Sequence, residues 1–232
     1  MKLSACLPSA VLALALWATP SMSQETGTLI THPSADIDGR GRDAARQTME
    51  QFIGCLVSRN SGRAIALTEL PVDSAQYQRI ARNMYDNIDD ACLSGAGRLS
   101  FSENLFRGAL FQALYEREFG NDGPTAFSPG TASGYRQLYP ETLSAQARTA
   151  IALESFGECV ARADADGARA FLRQLPGSSG EGEVINALRP RFAACIPVDN
   201  TIRFSASVLK GAVAEGLYRL SVAARNTMGA AE

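Results

Sequence analysis

Apolar residues recur at helical spacing along most of the chain beyond residue 43. Ala45, Met49, Phe52, Ile53 and Leu56 share one face and predict a helix over about 43–59. Asn60-Ser61-Gly62 breaks it, and a short helix over about 63–69 stops before Pro71. Ser74 is placed to cap a third helix, whose stripe Tyr77, Ile80, Ala81, Met84, Tyr85 and Ile88 ends at Cys92. A Gly-rich turn and a short extended piece, Arg98 to Phe101, lead to Ser102. That serine caps a fourth helix with Leu105, Phe106, Ala109, Leu110, Ala113 and Leu114 inward.

The same plan returns further on. Pro140 suits the first turn of a long helix to about residue 163. A short helix follows over about 167–174, then a third over about 180–194. Pro190 should kink that helix or delay its start. The fourth begins after Ser205, with Val208, Leu209, Ala212, Val213, Gly216 and Leu217 inward. Residues 119–139 are rich in Gly, Pro, Ser and Thr and read as a linker between helical units 43–118 and 140–225. Residues 24–42 lack an apolar period and read as a mobile arm; 226–232 read as a tail.

The two units match in detail. Glu50-x-Phe52-x-x-Cys55 answers Glu154-x-Phe156-x-x-Cys159, and Leu67-x-x-Leu70-Pro71 answers Leu172-x-x-Leu175-Pro176. Ala91-Cys92 answers Ala194-Cys195. Phe101-Ser102, Gly108 and Leu114-Tyr115 answer Phe204-Ser205, Gly211 and Leu217-Tyr218. The matches stay in order at an offset of 103–105, the mark of a tandem duplication. The expected fold is therefore all-α, two tandem homologous four-helix units, each with one internal disulfide. Cys55 with Cys92 and Cys159 with Cys195 are the favoured pairs, since each ancestral unit would have closed its own bridge. A cross-repeat bridge such as Cys55 to Cys159 is the alternative that symmetry leaves open. Gly108 and Gly211 hold equivalent positions within helices, where glycine costs about 1 kcal/mol against alanine. Close helix–helix approach is the simplest use for both.

The first 23 residues change the compartment. Met1-Lys2, the apolar run Ala10 to Ala18 and Ser21-Met22-Ser23 have the form of a secretory signal peptide cleaved before Gln24. The run is too short to span a bilayer, and the rest of the chain offers no anchor. Leu3-Ser4-Ala5-Cys6 resembles a lipoprotein acylation box but precedes the apolar run, so the expected location is periplasmic or secreted. A formal net charge of −2 and ordinary composition give no reason to expect nucleic acid. Arginine outnumbers lysine twenty to two, but the bias is spread along the chain.

Candidate chemistry is sparse. Asp86-x-x-Asp89-Asp90 puts carboxylates on one helix face, suited to a cation or to carboxylate hydrolysis, yet a solvated acidic face explains it as well. Asp164-Ala-Asp166-Gly167 and Asp36-x-Asp38-Gly39 are fragments of calcium loops without a closing Glu. No metal or other cofactor is expected. With His32 the sole histidine, Ser102 and Ser205 read as helix caps, not nucleophiles. Arg107 and Lys210 sit one residue before the paired glycines. A repeated cation suits an anionic ligand; an exposed helix position is the ordinary reading. Tyr115 and Tyr218 read as the wet ends of core helices.

The Cys…Leu-Pro…Cys…Phe-Ser…Gly…Leu-Tyr unit resembles one found in uncharacterised secreted bacterial proteins, and the resemblance implies no activity. The residues point first to a non-enzymatic envelope or interaction protein. A binder of a small apolar or anionic ligand in the cleft between repeats, using Arg107 and Lys210, is the alternative. A carboxylate-dependent hydrolase comes third.

Overall fold

The computed structural model describes residues 29–30, 39–86, 92, 99–197 and 204–229. Among the described residues, eight α-helices take up more than half of the chain's length: α1 (Gly39–Arg59), α2 (Ser61–Thr68), α3 (Ala75–Asp86), α4 (Glu103–Glu118), α5 (Ala145–Ala163), α6 (Ala165–Leu172), α7 (Ser179–Ala194) and α8 (Ala206–Gly229). The extended piece before α4 forms a two-residue antiparallel ladder, β1 (Leu29–Ile30) with β2 (Leu99–Ser100).

Local chemistry sets most boundaries. Ser74 Oγ accepts from Tyr77 N at 3.1 Å and starts α3. Asp164 Oδ1 accepts from Gly167 N at 2.8 Å, so this acidic turn is a cap for α6. Ser205 Oγ accepts from Val208 N at 3.3 Å, whereas Ser102 precedes α4 with no side-chain cap bond. Helix α5 starts five residues later than Pro140 suggested, because Ser144 is the residue whose Oγ accepts from Ala147 N. Helix α7 runs through Pro190. That proline frees the carbonyl of Asn186, and both residues are exposed, so water can take the bond. The arm is shorter than expected, since Leu29–Ile30 pairs with β2 and α1 begins at Gly39; α8 also continues through most of the expected tail.

Helices α4 and α8 cross at the centre. Helices α1 and α2 pack on α4, while α5 and α6 pack on α8. A Cβ built on Gly108 would lie 2.5 Å from Gly211 Cα, and one on Gly211 2.7 Å from Gly108 Cα. The paired glycines therefore do serve a close backbone approach. On the other side of α8, a methyl on Gly157 would overlap the carbonyl of Ala212, and one on Gly216 would overlap the backbone of Gly157.

The bridges are Cys55–Cys92 and Cys159–Cys195, with Cα atoms 5.7 and 5.8 Å apart. Closing loops of this length contributes about 4 kcal/mol each on the chain-entropy account. An aromatic contact recurs at matching positions: Phe52 meets Phe101 with ring centroids 6.1 Å apart, and Phe156 meets Phe204 at 5.0 Å.

The linker is not a spacer. Its single 3-10 turn, Tyr135–Leu138, puts Tyr135 at 0% exposure, and Tyr139 is 6% exposed. The Tyr139 hydroxyl accepts from Val72 N at 3.1 Å, which ties this strap to the segment between α2 and α3.

Candidate functional site

Every residue of α8 from Leu209 to Ser221 is buried, as is α4 from Leu105 to Gln112. Helices buried all round are normally apolar all round. These two instead carry Arg107, Gln112, Lys210, Glu215, Arg219 and Ser221 inward. Buried charge is tolerated only where it is paired and hydrogen-bonded, and the structure pairs it across the two halves of the chain.

At the first cluster, Arg107 of α4 grips Glu215 of α8 through Nε to Oε2 at 2.9 Å and Nη2 to Oε1 at 2.6 Å. Arg219 Nε donates to the same carboxylate at 3.0 Å, and its Nη2 donates to the carbonyl of Thr68 at the end of α2, 2.8 Å away. The two guanidinium groups flank aromatic rings: Tyr135 lies 4.9 Å from Arg107 and 4.2 Å from Arg219, Phe111 5.1 and 4.9 Å. Arg107 Nη1 has no hydrogen-bond partner, and the rings supply part of its stabilisation. Burial alone would lower the Arg107 pKa; Glu215 and the neighbouring tyrosines overcome it and hold it well above the ordinary value.

At the second cluster, Lys210 of α8 reaches Glu50 of α1, with Nζ 3.1 and 3.2 Å from the carboxylate oxygens. The same Nζ donates to the carbonyl of Gln174 at 2.7 Å. Gln112 of α4 donates to the carbonyl of Leu172 at 3.0 Å and to Glu116 at 3.1 Å. The last carbonyls around α6 are thus capped by side chains from two other helices. Burial pushes the Glu50 carboxyl up, and Lys210 pulls it part of the way back. Arg46 of α1 binds Asp43 and, bidentately, Glu181 of α7, whose Oε2 also accepts from Gly177 N at 2.8 Å.

These placements correct two readings of the sequence. Arg107 and Lys210 are 3% and 1% exposed, not exposed helix residues. Tyr115 and Tyr218 are 1% and 4% exposed, not wet ends; the Tyr218 hydroxyl donates to Glu118 at 2.8 Å. The side chain of Asp86, and all of Asp89, Asp90, His32, Asp36 and Asp38, lie outside the described residues. Among the described residues no three metal-ligating side chains cluster, and no helix is long and apolar enough to cross a membrane.

Several openings break the described surface, among them a shallow one of about 610 Å³ beside Glu158, Cys159 and Arg162. A groove of about 460 Å³ lies between α1, α4 and the end of α6, lined by Glu50, Gln112, Glu116, Leu172, Gln174 and Leu175, among others. Leu175 is 67% exposed, far above the other buried or half-buried leucines of the fold. A more apolar hollow of about 450 Å³ is lined by Leu153, Phe156, Ile196, Pro197 and Phe204. The groove and the hollow are both of the size that holds a small ligand or a side chain. The α4–α8 crossing itself is closed: the space beside Gly108 and Gly211 amounts to about 10 Å³.

No family model matches the chain, and no curated protein or solved structure matches it either. The reading of the site therefore rests on its own chemistry. Sequence reasoning found Arg107 and Lys210 but missed Glu215, Arg219, Glu154 and Tyr135. The available signal was an excess of charged residues inside α8, a helix whose apolar residues already occupy every face.

Proposed function

We propose that this is a non-enzymatic exported protein that acts by binding a partner, built by tandem duplication of a four-helix unit. The observation that carries the reading is Leu175, 67% exposed on the rim of the groove between the two halves. A groove with an exposed leucine on its rim offers a partner both a concave shape and apolar area to bury. The rest of the molecule suits a rigid scaffold. Two disulfides staple it, in keeping with an oxidising periplasmic or secreted location and with the leader-like first 23 residues. Arg107 and Lys210 then serve to join the halves and are not ligand contacts.

Duplication is supported by equivalent residues in equivalent roles. The paired glycines meet each other, the paired cations each reach a carboxylate of the opposite half, and Phe52–Phe101 and Phe156–Phe204 repeat one contact. A second reading has a small apolar ligand in the hollow at Phe156 and Phe204, supported by its lining.

A photo-crosslinking side chain placed at Leu175 tests the main reading in protein expressed in its native envelope. One specific adduct is expected, absent when the same group replaces exposed Glu183 on α7 and competed away by unlabelled protein. Equal labelling at both positions, or none at Leu175, overturns the groove as the binding face.

A further inference from the structure

On the duplication proposed above, the strap and the open groove are counterparts. Tyr135 of the strap lies over Arg219 of α8, its 3-10 turn packs on α5, and the Tyr139 hydroxyl accepts from Val72 N, just past Leu70-Pro71 beyond α2. The groove lies between α4, α1 and Leu172 to Leu175 at the end of α6. At the offsets of the repeat, α1 answers α5, α4 answers α8, and Leu175-Pro176 answers Leu70-Pro71. One site is therefore filled by the chain's own segment, and its counterpart is open. The two leucines differ accordingly: Leu70 is half-buried against the core, and Leu175 is 67% exposed.

The open site carries the opposite charge. Under the strap, the Tyr135 ring rests against the guanidinium groups of Arg107 and Arg219, at 4.9 and 4.2 Å. The residue that answers Arg219 is Glu116, and the one that answers Glu215 is Gln112. Glu116 is exposed and pairs with no cation among the described residues. It accepts from the neutral Gln112 amide at 3.1 Å, and the same amide reaches Glu50 at 3.4 Å. Glu50 has buried Lys210 as its cation. Arg173, the remaining charged residue of the lining, donates to the side chain of Asn121 instead. We propose that the groove takes an extended segment of a partner protein with an Arg or Lys beside a large apolar residue. The cation meets Glu116, and the apolar side chain packs on Leu172 and Leu175. This rests on the groove being the binding face and names what binds there. A peptide is the fitting occupant because a peptide fills the counterpart site, and about 460 Å³ admits side chains but no folded domain. A second copy of the strap does not suit the groove: its tyrosine ring would exchange two guanidinium groups for a carboxylate, which the negative ring face repels.

The photo-crosslinking side chain at Leu175, in the full chain in its native envelope, reads this when combined with substitutions of Glu116. Glu116→Asp should keep the adduct, and Glu116→Gln should lower its yield several-fold. Glu116→Arg should lower it by about tenfold or more, because like charges then face each other. Glu116→Gln keeps the shape and removes only the charge, so a steric effect does not produce this series. In the adduct formed with Glu116 intact, the partner's linked peptide, sequenced by mass spectrometry, should carry Arg or Lys within a few residues of the linkage. The melting temperature of each variant checks its fold; should one fail to fold, the linked peptide decides alone. A specific adduct whose yield ignores both Glu116→Gln and Glu116→Arg, or whose linked peptide has no basic residue, overturns this inference and leaves the groove as the binding face. No specific adduct at Leu175 overturns both.

Discussion

Glu215→Ala is expected to destabilise the protein by about 3–5 kcal/mol at pH 7, measured by urea unfolding, because it strands two buried guanidinium groups. Arg107 donates twice to Glu215, and the paired side chains are each 4% exposed. Arg219 keeps the carbonyl of Thr68 but loses its countercharge. The loss comes from desolvated charge, not from the contacts alone. The triple variant Arg107→Met, Glu215→Leu, Arg219→Leu removes the charges together, and it should recover most of the stability. If the single variant were as stable as the wild type, water would have to reach the cluster, and the closed crossing described above would be wrong.

The second large effect is expected at glycine. Gly157→Ala should cost about 3 kcal/mol or more, since its methyl would enter the carbonyl of Ala212, and neither helix backbone can withdraw without opening the core. Gly54→Ala is the matched control on α1, immediately before Cys55. A methyl there meets nothing within 4 Å, so it should gain roughly 0.5–1 kcal/mol from helix propensity. Thermal melts of the two variants under oxidising conditions compare them directly. Equal effects at both positions would contradict the α5–α8 packing.

Much of the fold was legible because it follows local rules. Helical stripes located all eight helices, the matched spacing of four cysteines named both bridges, and the glycines in α4 and α8 marked their crossing. What escaped depends on neighbours remote in sequence. A stripe such as Leu105, Phe106, Ala109 and Leu110 marks one buried face, but nothing in it reveals that a second layer will cover the opposite face. Arg107 and Lys210 looked exposed for that reason: their partners Glu215 and Glu50 lie 108 and 160 positions away. The linker misled through composition. Gly, Pro and Ser around Tyr135 hid an aromatic anchor that only the two arginines beneath it explain. The candidate groove was least legible, since it is formed by α1, α4 and the end of α6, and no single segment carries its pattern.

The two halves of the chain are locked together by Arg107 with Glu215, Lys210 with Glu50, and the glycine crossing between α4 and α8, and so should unfold as one body. Differential scanning calorimetry of the oxidised chain tests this most directly. A single transition is expected, with the calorimetric enthalpy equal to the van't Hoff enthalpy. Two resolved transitions, or a calorimetric enthalpy well above the van't Hoff value, would show that the halves unfold independently and would contradict the account.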